Sequence, residues 1–70
     1  MKAFRTPQGN YINLSLCNRF FVRTYENGFE VKAVLDLSED DEITYSLTGL
    51  YEVKQEAQDK LDEIMEWIIS

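Results

Sequence analysis

Few residues in this 70-residue chain could do chemistry. There is no histidine, so the single cysteine, Cys17, has no imidazole to activate it. Adjacent carboxylates occur at Asp40-Asp41 and Asp62-Glu63, but acids on an open surface stay hydrated, whereas acid–base catalysis needs burial that separates two pKa values. The sequence contains no glycine-rich phosphate loop, paired-cysteine motif or zinc-ligand spacing. We therefore expect a protein that is not an enzyme and that uses no cofactor or metal.

The acidic run at residues 38–42, SEDDE, is the one candidate for cation binding. It lacks the alternating oxygen ligands, the central glycine and the distal glutamate of a calcium-binding loop. We interpret it as a solvated hairpin loop whose charges also discourage aggregation.

A second set of candidates combines aromatic and cationic side chains. If residues 20–37 form a hairpin, these side chains share its outer face: Phe21, Arg23, Tyr25, Lys32 and Val34. Rings beside cations on an open antiparallel sheet are the arrangement with which proteins bind single-stranded nucleic acid. The same side chains would also suit an interface with another protein or a second copy, or simply a half-exposed sheet face, and the sequence leaves these options open.

A third set is acidic. Residues 1–35 carry five cations and two acids, a net charge of +3, while residues 36–70 carry eleven acids and two cations, a net charge of −9. Four of these acids lie on the outward side of a predicted helix: Glu56, Asp59, Glu63 and Glu66. Ordered carboxylates of this kind can imitate a phosphate backbone, although a solvated helix surface has the same composition. The total of −6 disfavours nucleic acid and anionic membranes as partners.

The element that must position the second set is a hairpin centred on Asn27-Gly28, a pair typical of a two-residue type I′ turn with positive φ at both residues. If Glu26 and Phe29 are the last paired residues, Val22 lies opposite Ala33 and Arg23 lies opposite Lys32. One face of this hairpin is almost entirely apolar: Phe20, Val22, Thr24, Phe29, Val31, Ala33, Leu35 and Leu37. The rest of the chain must cover that face.

The remaining segments supply the cover. We predict a first hairpin with strands near residues 2–6 and 11–14, a bend at 17–19 and an alternating strand at 43–48. Residues 52–68 have helical periodicity, with one apolar stripe: Val53, Ala57, Leu61, Ile64 and Ile68. The prediction is one α+β domain over residues 1–70, a four- to five-stranded antiparallel meander with the C-terminal helix packed on one face.

Residues 9–14, which contain a G-x-Y-I-N-L motif, and residues 56–64, which contain E-A-Q-x-x-L-D-x-I, resemble small bacterial or phage proteins of unknown function. In those proteins a short first hairpin leads into a β-meander and a closing helix. This chain departs from them at Val53, where they often have a serine as helix N-cap. The resemblance implies an antiparallel sheet plus one helix, and it implies no activity.

The function that we predict is a small non-catalytic protein–protein interaction module in the cytoplasm, since no apolar run is long enough to span a membrane. The partner is another protein or a second copy, with a homodimer formed through the outer sheet face or the apolar end at residues 67–69. The first alternative is an acidic, nucleic-acid-mimicking inhibitor of phage or plasmid origin. The second is a single-stranded nucleic-acid binder that uses the outer sheet face.

Overall fold

The computed structural model describes residues 1–70 and shows an α+β fold with two antiparallel sheets and one C-terminal helix. The larger sheet has three strands in the order β3-β4-β5. Its strands are β3 (Arg19–Tyr25), β4 (Gly28–Asp36) and β5 (Glu42–Ser46). The smaller sheet is a separate two-stranded hairpin, so the predicted single meander of four or five strands is not what the chain forms.

The first hairpin pairs β1 (Ala3–Arg5) with β2 (Tyr11–Asn13). Its turn is closed by the Thr6 N–H, which donates to the Asn10 carbonyl at 2.7 Å, and it contains Gly9 at φ 90°. A 3₁₀ turn at Leu14–Leu16 follows directly. The chain therefore bends a few residues earlier than the predicted position at 17–19, because the Asn13 side chain accepts from the Ser15 N–H and caps this turn.

The β3–β4 hairpin differs from the prediction in its turn and its register. Tyr25 pairs with Gly28, so Glu26 and Asn27 form the turn, and Asn27 does not have the positive φ of a type I′ turn. Relative to the prediction the register is shifted by two residues, and Val22 lies opposite Val31. A shift of two leaves every side chain on its predicted face, because strand side chains alternate with period two.

The close packing around Gly28 is consistent with its place in the strand, after the turn. A Cβ atom on this residue would lie 2.8 Å from the Tyr51 carbonyl oxygen, so the position is restricted by close backbone approach. The neighbouring residue, Phe29, forms an isolated antiparallel bridge with Tyr51, with N–H···O distances of 2.9 and 2.8 Å. This bridge joins the start of β4 to the segment that leads into the helix.

The predicted apolar face of the larger sheet is buried at its centre, whereas Thr24 and Leu37 at its ends are exposed. Val31 and Ala33 are fully buried, and Val22 and Leu35 are half-buried. Helix α1 (Lys54–Ile69) packs on this face over β3 and β4 through its three buried residues, Ala57, Leu61 and Ile64. Burying a leucine or isoleucine side chain such as Leu61 or Ile64 stabilises the fold by roughly 1.5–3 kcal/mol.

The two ends of the predicted helical stripe behave differently. Ile68 is half-buried and packs against the core, whereas Val53 precedes the helix and is 52% exposed. The first hairpin completes the cover, since Leu14 is fully buried and Phe4 and Ile12 pack on the core. The only helix with more than one turn, α1, lacks the length and the apolar character that a bilayer span requires.

Candidate functional site

The outer face of the larger sheet carries the predicted candidates, and the register decides their neighbours. Arg23 lies opposite Glu30, and Phe21 lies opposite Lys32. The predicted like-charge pair between Arg23 and Lys32 is therefore wrong, because the strands pair two residues out of the expected register. Each cation faces a neighbour with which it can interact favourably.

A hydrogen-bond network connects the three strands on this face. The Lys32 ammonium lies 3.0 Å from the Glu30 carboxylate and 3.0 Å from the Ser46 hydroxyl. The Tyr25 hydroxyl and the Ser46 hydroxyl donate to the same Glu30 oxygen, at 3.0 and 3.2 Å. The side chains of Lys32 and Glu30 are only 15% and 14% exposed. The network therefore fixes these four side chains in one arrangement.

The protonation states follow from this geometry. Burial alone would raise the pKa of Glu30, but hydrogen bonds from Lys32, Tyr25 and Ser46 and the charge of Lys32 outweigh it, so the pKa is lowered. Burial alone would lower the pKa of Lys32, but its contacts with Glu30 and Tyr25 outweigh it and the pKa is raised. Both residues are charged at neutral pH, and each neutralises the other.

Arg23 and Phe21 lie beside the network. The Arg23 guanidinium is 5.5 Å from the centre of the Tyr25 ring, it is exposed, and it forms no ion pair. Phe21 is half-buried. Val34, in contrast, is 2% exposed, because it lies in the central strand between Arg19 and Thr44. The prediction that Val34 belongs to a contact surface is therefore wrong.

Charges at the other end of this face are also paired. Arg19 lies 2.6 Å from Glu42 and 3.9 Å from Asp36, and the Asn18 amide donates to Asp36 at 2.6 Å. Three cations and three acids share the outer face, which is therefore neutral overall: Arg19, Arg23, Lys32, Glu30, Asp36 and Glu42. The sequence did not identify Ser46 and Glu42 as part of this face, since only the β4–β5 register brings them there.

The acidic candidates on α1 are all exposed, and they span about 15 Å of the helix at its usual rise. The Gln55 amide donates to Asp59 at 2.8 Å, and Lys60 lies 3.4 Å from Glu63. Glu56 and Glu66 have no ion pair. The helix therefore presents an open acidic stripe that its own cations neutralise only at Glu63.

The remaining candidates are local features. The loop at residues 38–41 is closed by the Leu37 N–H, which donates to the Asp41 carbonyl at 2.9 Å. No group of three or more Cys, Asp or Glu side chains is placed to hold a metal ion. Cys17 is half-buried against the core, and burial raises the pKa of its thiol, which disfavours the reactive thiolate.

The apolar end at residues 67–69 is not a single patch. The Trp67 ring lies 6.4 Å from the Phe4 ring and 5.3 Å from the Lys2 ammonium, so it packs on the first hairpin. Ile68 faces the core, while Ile69 is 78% exposed. The three side chains therefore point in different directions and do not form the predicted dimer surface together.

The residues brought together are thus Phe21, Arg23, Tyr25 and Lys32 on a neutral sheet face, with Glu30 and Ser46 completing the group. Comparison of the chain with protein-family models, with curated proteins and with solved structures gives no match.

Proposed function

We propose that this chain is a small, non-catalytic protein–protein interaction module of the cytoplasm, and that it binds another protein through Phe21, Arg23 and Tyr25 on its outer sheet face. The observation that carries the proposal is the Tyr25–Glu30–Lys32–Ser46 network. The network fixes Tyr25, and a side chain already fixed in place loses little conformational entropy on binding. Tyrosine, phenylalanine and arginine are also the residues enriched where proteins contact one another.

The neutral charge of this face argues against single-stranded nucleic acid as the ligand. Such ligands are held mainly by cations that neutralise phosphates. Lys32 is already bound to Glu30, and Arg19 is bound to Glu42, so Arg23 is the one cation of the face that remains unpaired. We expect a labelled oligonucleotide to show no binding at low salt, and micromolar binding that Arg23→Glu abolishes would favour the nucleic-acid reading instead.

The experiment that tests the main proposal is site-specific photo-crosslinking in the cells that produce the protein. A photoreactive phenylalanine analogue replaces Phe21 on the outer face, and the matched control places it at Gln55, which is exposed on the helix. We expect position 21 to give an adduct of defined mass with another protein, which Arg23→Glu weakens. Identical adducts from both positions, or none from position 21, would contradict the proposal.

A second candidate function, an acidic inhibitor that imitates nucleic acid, is supported by the exposed stripe on α1. Glu56 and Glu66 are free to bind cations of a partner. Changing Glu56, Asp59, Glu63 and Glu66 to glutamine removes the charge and keeps the side-chain shape. Loss of a basic partner from this variant, with retention by Arg23→Glu, would favour mimicry over the outer-face proposal.

A further inference from the structure

We propose that β3 is the pairing edge of a homodimer, in which β3 of a second copy adds antiparallel to the sheet about a two-fold axis at Val22. This site is the edge of the sheet, so it goes beyond the proposed use of the outer face. It also needs no third protein.

The hydrogen-bond pattern identifies the free groups on this edge. In β4, Val31 accepts from the Leu47 N–H and Phe29 bonds to Tyr51, so the odd-numbered residues point toward β5. The even-numbered residues of β4 therefore bond to Arg19, Phe21, Arg23 and Tyr25 of β3, since the direction alternates along a strand.

The N–H and C=O groups of the intervening β3 residues, Phe20, Val22 and Thr24, must then point away from the sheet. No turn, loop or cap hydrogen bond reaches any of them. Unpaired strand backbone of this kind is a template for another strand.

The rest of the chain leaves this edge open. The seven residues of β3 pair with β4 in unbroken register and include no proline or glycine. The opposite edge, β5, has only five residues, and the turn of the first hairpin lies across a groove of about 580 Å³ from Thr44 and Ser46. Beside β3, by contrast, lies an open groove of about 630 Å³. The first choice for strand addition is therefore β3.

Charge distinguishes the three registers whose two-fold axis lies nearest the centre of β3. With the axis at Phe21, Arg19 would face Arg23 of the second copy, and with the axis at Arg23 the two Arg23 side chains would face each other. Like charges directly opposite are destabilising. With the axis at Val22, Arg23 faces Phe21 and Arg19 faces Tyr25, so every cation of β3 meets an aromatic ring.

That register also uses the full length of the strand. Val22 pairs with Val22, and Phe20 with Thr24, which forms about six main-chain hydrogen bonds from the free groups. The helices of the two copies then run side by side on the same face of the joined sheet. Met65 and Leu61, which line the groove beside Phe20, would be covered by the second copy.

Light scattering over a range of protein concentrations tests the dimer. We expect the mass of the wild type to double from 8.2 kDa as concentration rises. Thr24→Pro removes an outward N–H at an exposed position where an edge strand tolerates proline, and Thr24→Ala is the matched control. Loss of two hydrogen bonds per dimer weakens association about tenfold or more in the proline variant alone.

A pair of charge variants tests the register and does not depend on whether the proline variant folds. Phe21→Lys places cations opposite Arg23 and weakens association about tenfold. Mixing it with Arg23→Glu places opposite charges together, so we expect the mixture to form a heterodimer that neither variant forms as well alone.

A wild type that stays monomeric at about millimolar concentration overturns the dimer. A dimer unaffected by both Thr24→Pro and Phe21→Lys overturns the β3 edge as its site. Neither result bears on the outer face, because crosslinking at position 21 identifies a different protein by the mass of the adduct. A crosslink to a second copy would instead support the edge.

Discussion

Glu30 is the residue on which the outer face depends. One of its carboxylate oxygens accepts hydrogen bonds from Lys32, Tyr25 and Ser46, and its side chain is 14% exposed. Removing the charge of one partner in such a group leaves the other charge buried without compensation. The network therefore stabilises the fold as well as shaping the surface.

We predict that Glu30→Gln lowers the free energy of unfolding by about 1–3 kcal/mol at neutral pH. Because the pKa of Glu30 is lowered on folding, its contribution is fully present above the ordinary value of 4.5 and is lost as pH falls through the lower folded-state value. Urea unfolding should show the gap between wild type and variant narrowing as the pH falls below the ordinary value of 4.5. Glu26→Gln, in the exposed turn, is the control. A gap that is constant with pH would contradict the assigned role.

Gly28 gives a second prediction at this scale. A Cβ atom added at Gly28 would lie 2.8 Å from the Tyr51 carbonyl oxygen and 3.2 Å from the Leu50 Cβ. Gly28→Ala should therefore lower the free energy of unfolding by about 1–3 kcal/mol. Gly49→Ala is the matched control, because nothing lies within 4 Å of the added atom. Equal effects of the two substitutions would show that the close approach to Tyr51 carries no cost.

Residue faces were predictable from the sequence and residue partners were not. Alternation places Val31 and Ala33 inward and Arg23 and Lys32 outward, and the structure confirms these faces. The predicted turn was based on the preference of Asn27-Gly28 for the two central positions of a type I′ turn. In the structure Gly28 instead pairs in the strand and packs closely against Tyr51, a residue far away in the chain. A local motif cannot reveal such a contact.

At the scale of elements, α1 is held by packing more than by its ends. Its N-cap, Val53, has an extended backbone conformation and forms no side-chain cap hydrogen bond. Its last turn contains no basic residue to complement the helix dipole. The helix is therefore stabilised mainly by Ala57, Leu61 and Ile64 against the sheet.

The uncapped start predicts a stabilising substitution. Val53→Ser supplies an oxygen for a free N–H of the first turn, and we expect the free energy of unfolding to rise by about 0.5–2 kcal/mol. Val53→Ala is the control, since it removes the same exposed side chain without adding an oxygen. Thermal unfolding followed by circular dichroism compares the two, and an equal effect of serine and alanine would contradict the capping argument.

The elements themselves were largely predictable, and their grouping was not. The helix predicted at 52–68 is Lys54–Ile69, and the strand predicted at 43–48 is Glu42–Ser46. Periodicity identifies an element and its buried side, but it does not state which strands are neighbours. The sequence pattern therefore could not reveal that the two three-residue strands of the first hairpin pair only with each other.

At the scale of the whole molecule, one core joins the two sheets and the helix. Leu14 follows the first hairpin and Leu47 follows β5, and both are buried in the same cluster as Ile64 of the helix. The single tryptophan, Trp67, reports on the junction between the helix and the first hairpin through its contact with Phe4. The shared core predicts that the chain unfolds as a single cooperative unit.

Cooperativity predicts that two signals coincide. Urea unfolding followed by Trp67 fluorescence and by far-ultraviolet circular dichroism should give the same midpoint, because loss of the first hairpin exposes Leu14 and the core. Leu14→Ala should shift both midpoints together and cost about 2–5 kcal/mol. A fluorescence transition at lower urea than the dichroism transition would show that the hairpin opens independently.

The electrostatic character of the candidate site also emerges only at this scale. The sequence correctly grouped Phe21, Arg23, Tyr25 and Lys32, but it could not show that their face is neutral. The balance of three cations and three acids includes Glu42, which the β4–β5 register brings across the sheet. Charge read along a chain describes halves of the sequence, whereas a binding partner meets charge arranged in space.

The loop at residues 38–41 forms hydrogen bonds only within itself and with Leu37, and all of its residues are exposed. Cleavage between Glu39 and Asp40 would therefore leave two fragments, one ending with β4 and the other containing β5 and α1. The β4–β5 ladder, the Phe29–Tyr51 bridge and the buried side chains of the helix all lie across that division. The fragments should consequently reconstitute the native fold when mixed. Because Trp67 and Phe4 lie on different fragments, tryptophan fluorescence would report their association.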